Sequence, residues 1–300
     1  MLTTNLTGNF GNHMSQLTTL RCVAEKLGYD WGVDKHPTHD YFNGMNQLYF
    51  MDVNFGLTPT APEHEYHEKW PIYNNSNICM FDPEIYNIKD NTILLGANGA
   101  KGGVYQSEEY FNDRRNDIFD WYKIKPEYKE KFDSLLTEFA YVLNDDLCVI
   151  NFRGGEYKNV HNLILNRQYW LNTINHMKSI NPNINFLLIT DDIDCANQYM
   201  PFKIPALHNE IGFDYYVINQ AKYVILSNSS FGLWAAWLNK NAKLILAPKY
   251  WAAHNVSDGW WGVGDQYYRP FTYMGRDNKL STYDECKEEA INYYKSKNIL

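Results

Sequence analysis

Tyr223-Val224-Ile225-Leu226-Ser227-Asn228-Ser229-Ser230-Phe231-Gly232-Leu233-Trp234-Ala235-Ala236-Trp237-Leu238 decides the fold of this chain. Its first four residues form a short apolar run that suits a buried strand. Ser227 to Ser230 is a polar break with the small hydroxyl side chains that cap helices, and Ser230 to Leu238 then reads as helix. The same alternation recurs on both sides. Leu147 to Phe152 is an apolar strand that ends at Arg153-Gly154-Gly155, and Gln168 to Ile180 has helical spacing through Tyr169, Leu171, Ile174 and Met177. Asn185 to Thr190 is a strand stopping at Asp191-Asp192, Phe213 to Ala221 is helical, and Leu244 to Ala247 is a further strand. Strands alternating with helices imply a parallel sheet covered on both faces. Such sheets bind ligands beyond the carboxyl ends of their strands. Arg153-Gly154-Gly155-Glu156, Asp191-Asp192 and Ser227 to Ser230 each follow a strand, so the three segments should converge on one crevice.

The first half is less regular. Leu2 to Leu6 suits a strand, Gly8 to Asn12 a turn, and Met14 to Leu27 a helix with Leu17, Leu20, Val23, Ala24 and Leu27 on one face. Asp40 to about Asn91 is irregular and aromatic, the composition of a cleft wall. Phe132 to Tyr141 should be helical and lead to a boundary near Asn144-Asp145-Asp146. The expectation is therefore a domain over 1–144, a second over 145–282, and a helix from Tyr283 over 283–300 that folds back on the first domain.

The totals narrow the function. A chain of 300 residues, 45% hydrophobic and 21% charged, can bury an ordinary core in about two domains. A formal net charge of −8 with no basic cluster argues against nucleic acid as a partner. The five cysteines are scattered, with no C-x-x-C pair, and read as reduced thiols. Neither a leader-like amino terminus nor an apolar run long enough to span a bilayer is present, so a cytoplasmic protein without a membrane span is expected. The sequon Asn255-Val256-Ser257 would matter only in a secretory compartment. Most of the 24 tyrosines and 9 tryptophans should pack rather than bind.

Gly8-Asn9-Phe10-Gly11-Asn12-His13 lacks the G-x-G-x-x-G spacing of dinucleotide folds, which counts against an NAD-dependent oxidoreductase. A glycine turn opening a helix still offers N–H groups to an anion, or serves only as a turn. Arg153 beside two glycines is placed to hold a diphosphate bidentately, or else pairs structurally with Glu156 or Asp191. The serines at Ser227 to Ser230 open a helix where a phosphate would bind. Asp192-Ile193-Asp194 has the D-x-D form of a metal site, while Asp191-Asp192 can equally accept from N1 and N2 of guanine. The second is preferred, because Arg153 and the helix terminus already serve the phosphates. The nine histidines are dispersed, and no metal is expected.

Four segments, in order, resemble the α-1,2-fucosyltransferases of glycosyltransferase family 11. Gly8 to Met14 resembles the family's G-G-L-G-N-Q-M, Tyr105-Gln106-Ser107-Glu108-Glu109-Tyr110-Phe111 its Q-S-E-K-Y-F, and Asn151-Phe152-Arg153-Gly154-Gly155-Glu156-Tyr157 its H-x-R-R-G-D-Y. Ser227 to Asn239, with Ala247-Pro248-Lys249-Tyr250-Trp251 after it, resembles S-N-S-S-F-S-W-W-A-A-W-L and A-P-x-x-W. The resemblance implies a GT-B-like α/β fold of two Rossmann-type domains facing across a cleft. It implies an inverting, metal-independent transferase with GDP-fucose as donor substrate, no cofactor, and a glycan acceptor. By position, Arg153 grips the diphosphate, Ser229 and Ser230 line the phosphates, Asp191 or Asp192 reads guanine, and Asn12 approaches the donor. Gly11, His13, Asn151, Asn228 and Phe231 complete the donor set, and Arg153, Glu156 and Asn12 the catalytic one.

Three departures bear on the donor: Asn151 stands where the family has His, Gly154 where it has a second Arg, and Glu156 where it has Asp. A lost guanidinium contact is worth about 1.5–3 kcal/mol if desolvated. Glu156 and His13 are the candidate bases, and a late proton transfer needs none. A relative using GDP-mannose, or a non-catalytic binder of glycan or nucleotide, are the rival expectations.

Overall fold

The computed structural model describes residues 1–33, 46–73, 76–96, 104–138, 146–160, 162–256, 258 and 266–300. They divide into two compact α/β units, Met1–Lys125 and Pro126–Leu300. The first holds β1 (Leu2–Thr4), α1 (Phe10–Leu27), β2 (Trp31–Val33), β3 (His64–His67), the short antiparallel pair β4 (Ile72–Tyr73) and β5 (Ser76–Asn77), β6 (Thr92–Leu95) and α2 (Arg115–Trp121). Its sheet runs β2-β1-β6-β3, parallel throughout. Helix α1 buries Leu17, Leu20, Val23 and Ala24 as its periodicity requires, and stops at Gly28, whose φ of 71° only glycine adopts cheaply.

Strand β3 lies inside the stretch expected to be irregular. Of His64-Glu65-Tyr66-His67 only Tyr66 is buried, so this edge strand carries no apolar run to announce it. Its pairing with β6 supplies what its side chains do not. Residues 40–45 of that stretch lie outside the described residues.

The second unit holds α3 (Pro126–Glu138), β7 (Leu147–Phe152), α4 (Arg167–Ile180), β8 (Asn185–Thr190), α5 (Ile193–Tyr199), β9 (Ala206–Leu207), α6 (Ile211–Gln220), β10 (Tyr223–Leu226), α7 (Ser230–Trp237), β11 (Leu244–Pro248), β12 (Thr272–Met274), β13 (Leu280–Ser281) and α8 (Tyr283–Ser296). The sheet order is β13-β12-β11-β10-β7-β8-β9, parallel except for β13. All six residues of β7 are buried, as a central strand covered on both faces requires. Trp170, Trp234 and Trp237 are fully buried around it. Replacing any one by alanine would cost about 3–5 kcal/mol.

The division falls at Lys125, earlier than the expected boundary near Asn144. Helix α3 belongs to the second unit because fully buried Phe132 packs 6.0 Å from Phe213 and 5.7 Å from Tyr216, whose hydroxyl donates to Asp133 at 2.5 Å. Tyr141, Asn144 and Asp145 lie outside the described residues. Helix α8 opens with a capping box between Thr282 and Glu285. Within its own unit it is anchored by buried Lys249, which donates to Ser281 Oγ at 2.8 Å and to Glu289 Oε1 at 3.0 Å.

Candidate functional site

Between β7 and β10 the second sheet reverses its winding: the chain runs outward through β8 and β9 on one side, and through β11 and β12 on the other. A crevice opens at the carboxyl ends of two such strands. The loops at this point are Arg153–Asn159 after β7 and Ser227–Ser229 after β10, flanked by Asp191-Asp192 after β8.

Arg153 is held from two sides. Its Nη1 lies 2.6 Å from Asp191 Oδ2 and its Nη2 3.0 Å from Glu156 Oε1, with the guanidinium 5.6 Å from the Tyr157 ring. Asp191 Oδ1 accepts from the Gly154 N–H at 2.8 Å, so its carboxylate is a fixed bracket. A guanidinium has five N–H donors, so these two contacts leave others for a ligand. The structural pairing therefore leaves room for a ligand-binding role in the same residue.

Asp192 is differently employed. Its side chain caps α5 by accepting from the Cys195 N–H at 2.9 Å and takes the Lys158 ammonium at 2.6 Å, a contact that lowers its carboxyl's pKa. A methyl built on Gly154 would come within 2.8 Å of Asp192 Cβ and 3.1 Å of Cys195 Cβ. No second arginine fits there while α5 starts where it does. The glycine at this departure from the family pattern is thus a packing requirement of this chain.

Asn151 is also explained by packing. It is 4% exposed, takes the Ser227 hydroxyl at 3.2 Å, and lies so close under α7 that a methyl on Gly232 would collide with its Oδ1. A residue so placed fixes the Ser227 loop. Asn151 and Gly232 are therefore coupled by packing. Gly232→Ser should destabilise the protein by about 1–3 kcal/mol, the cost of overpacking, and trimming Asn151 to serine should recover part of it. Urea melts of the single and double variants check this, and strictly additive effects would refute the coupling.

Ser229 is the N-cap of α7, with no side-chain cap bond, and Ser230 and Phe231 in the first turn are half-buried. The first N–H groups of a helix lack intrahelical partners and favour an anion. Asn228 Nδ2 donates to Leu163 O at 2.8 Å, while its buried Oδ1 has no hydrogen-bond partner. An orphaned acceptor beside a helix terminus asks for a donor from a ligand or water.

Sequence reasoning does not single out Asp214 on α6. It is buried, accepts from the Asn209 N–H at 3.2 Å, and burial pushes its carboxyl up to about 7. The signal for it is a single acid within the apolar run Ile211 to Ile218. On the other flank, Tyr169 donates to Leu226 O at 2.6 Å, the last residue of β10, and buried His254 packs edge-on to the Tyr169 ring at 5.2 Å. Burial, with Arg276 nearby, pushes His254 down to about 3, so it is a neutral packing group. Trp251 is likewise buried; Trp260, Trp261 and Ser257 lie outside the described residues.

In the first unit the glycine turn is closed on itself. The Thr7 N–H goes to Gln16 Oε1 at 3.0 Å, the Phe10 N–H to Gln47 Oε1 at 2.5 Å, and the Asn12 N–H to Asn9 O at 2.9 Å. The turn keeps little for an anion. Gly11 is buried, and His13 is fully buried, which removes it as a base for any ligand. Asn12 is half-buried, and its Oδ1 accepts from Gln106 Nε2 at 3.0 Å.

Among the described residues no three His, Cys, Asp or Glu side chains are grouped to hold a metal, all five cysteines are buried and unpaired, and no helix is long and apolar enough to cross a membrane.

Comparison with known proteins adds the following. The model of a family described as glycosyl transferase family 11 matches residues 86–270. An α-1,2-colitosyltransferase of Escherichia coli is 27% identical over 189 residues, which is 57% of this chain and 62% of that protein, so the match spans less than two thirds of the relative. Among solved structures, NodZ α-1,6-fucosyltransferase soaked with GDP-fucose superposes with a TM-score of 0.51 at 13% identity, over 81% of this chain and 93% of the other. The same enzyme co-crystallised with GDP gives 0.50 at 14% identity over the same shares. Both are likenesses of fold.

Proposed function

The chain belongs to glycosyl transferase family 11, and from that premise we propose that it transfers L-fucose from GDP-fucose to a hydroxyl of a glycan, the 2-hydroxyl of a galactoside by resemblance. The observation that carries the reading is Arg153 bracketed by Asp191 at the switch point between β7 and β10, beside a helix start with no side-chain cap. The acceptor oxygen attacks the anomeric carbon from the face opposite the leaving group. The bond from that carbon to the β-phosphate oxygen breaks, and its electron pair leaves with GDP. Arg153 and the amino end of α7 stabilise the charge that develops on the diphosphate, which is the main electrostatic demand of the step. The hydroxyl proton passes late to Glu156 or to water, since Glu156 is exposed and held by Arg153. Neither task requires a metal.

The donor sugar has a second reading, carried by the colitosyltransferase relative: colitose is fucose without its 3-hydroxyl, and a site that makes no demand on that hydroxyl would take either. The assay is release of free nucleotide from GDP-fucose, GDP-colitose, GDP-mannose and UDP-galactose, with EDTA present. GDP from fucose or colitose alone is expected. Release only from GDP-mannose or UDP-galactose would replace the donor, and dependence on added Mg²⁺ would end the metal-free mechanism. Binding of GDP without turnover of any donor, with galactosides present, would make the chain a binding protein.

A further inference from the structure

Tyr105 to Phe111 is a segment of the sequence pattern to which the proposed function gives no task. Its geometry supplies one. Tyr105 is fully buried with φ of +43°, a left-handed conformation that a tyrosine adopts only when its surroundings impose it. The surroundings are specific. The Tyr105 N–H donates to Glu68 Oε2 at 3.2 Å and its hydroxyl to Leu95 O at 2.7 Å, at the end of β6. Glu68 follows β3, is 2% exposed, and also accepts from the Tyr110 hydroxyl at 3.1 Å. The backbone N–H of Gln106 hydrogen-bonds the buried Cys79 sulfur. Two buried acceptors thus fix the backbone at Tyr105 and Gln106, and the direction they impose carries Gln106 Nε2 to 3.0 Å from Asn12 Oδ1.

An asparagine amide has two nearly isosteric ends, and only its hydrogen bonds decide which end faces where. Gln106 takes the oxygen end. We propose that Gln106 is a positioning residue that fixes which end of the Asn12 amide it meets, holding the NH₂ end over Gly8, turned away from Gln106 and toward the reactants, and that the strained Tyr105 held by Glu68 exists to aim Gln106. The proposal rests on the proposed transferase function and, within it, on the expectation from the family resemblance that Asn12 meets the reactants. A merely structural Gln106 would join α1 to the Tyr105 segment and contribute only to stability.

The two roles separate in Gln106→Glu, which keeps the shape of the side chain but cannot donate to Asn12 Oδ1. The measurements are kcat for release of GDP from the preferred GDP-sugar, Kd for GDP by calorimetry, and the Asn12 side-chain amide resonances, assigned by their loss in Asn12→Ala. Positioning predicts a kcat lowered about tenfold, the effect of one misdirected hydrogen bond, with Kd for GDP within twofold and the Asn12 resonances displaced. In an Asn12→Ala background the same substitution should add nothing. Losses that add in the double variant, or Asn12 resonances that stay in place in Gln106→Glu, would overturn the proposal. A wild-type protein that turns over no GDP-sugar would sink the proposed function instead, and the resonances would still decide whether Gln106 orients Asn12.

Discussion

Arg153→Ala should lower turnover of the preferred nucleotide sugar by about 10²–10³-fold, the usual cost of removing a donor aimed at developing charge. The expectation follows from what surrounds the guanidinium. Asp191 is held by the Gly154 N–H and itself holds Arg153, so the guanidinium is oriented before a ligand arrives. Position 154 cannot carry a second arginine against Asp192 and Cys195, so the loop after β7 has one guanidinium for the task. Arg153→Lys should keep the charge but lose the fork, and recover only part of the rate. Asp191→Asn should weaken GDP binding less than the loss of Arg153, because it removes the bracket and leaves the cation. If Arg153→Ala turns over within threefold of wild type while binding GDP normally, the assignment of the diphosphate to this loop is wrong.

What could be read in the sequence, and what could not, follows physical lines. The strands of the second unit were legible because they are covered on both faces and written as unbroken apolar runs: β7, β8 and β10 coincide with the sequence reading at both ends. The polar segments at their carboxyl ends were legible for the same reason, since a parallel sheet fixes where its loops emerge. In the first unit β2, β3 and β6 are three or four residues long, and β3 exposes His64, Glu65 and His67. Strands of three or four residues are too short to establish a periodicity. Side-chain direction was the other gap. Asn151 and His13 sit in motifs that resemble binding segments, yet both are buried, and a one-dimensional pattern does not distinguish a residue that lines a site from one that holds it together. Gly154 looked like a lost contact when taken singly, and Gly232 drew no notice. They are accommodations to α5 and to Asn151.

Stability should fall as pH rises from about 5 to 8, and for an identifiable reason in each unit. Glu68 in the first and Asp214 in the second are buried carboxyls whose desolvation pushes them from ordinary values of 4.5 and 3.8 to about 7. Partial compensation comes from the Tyr105 N–H at Glu68 and the Asn209 N–H at Asp214. Between the unfolded and folded values the native state binds more protons than the unfolded chain, so the slope of unfolding free energy with pH is negative. The stabilisation is complete below about pH 4 and is lost as pH passes 7. Carboxyls that the fold lowers, Glu25, Asp133 and Asp192 among them, act in the opposite sense, but they are ionised in both states over most of this window. Buried His254, pushed from 6.5 down to about 3, does oppose the fall between about pH 5 and 6.5, by one proton against the two of the acids, so the net slope stays negative and is steepest between about pH 6.5 and 7. A tenfold weakening of an acid corresponds to about 1.4 kcal/mol, so each buried carboxyl should cost on the order of 3 kcal/mol once ionised. Glu68→Gln and Asp214→Asn keep the shape and remove the ionisation, so each should raise the melting temperature at pH 8 and change it little at pH 5. Denaturant melts at the two pH values check the sign. A wild-type protein more stable at pH 8 than at pH 5, or a Glu68→Gln variant that keeps the full pH slope, would show that these acids are solvated in the folded chain. The first unit would then lack the buried anchor on which the Tyr105 backbone depends.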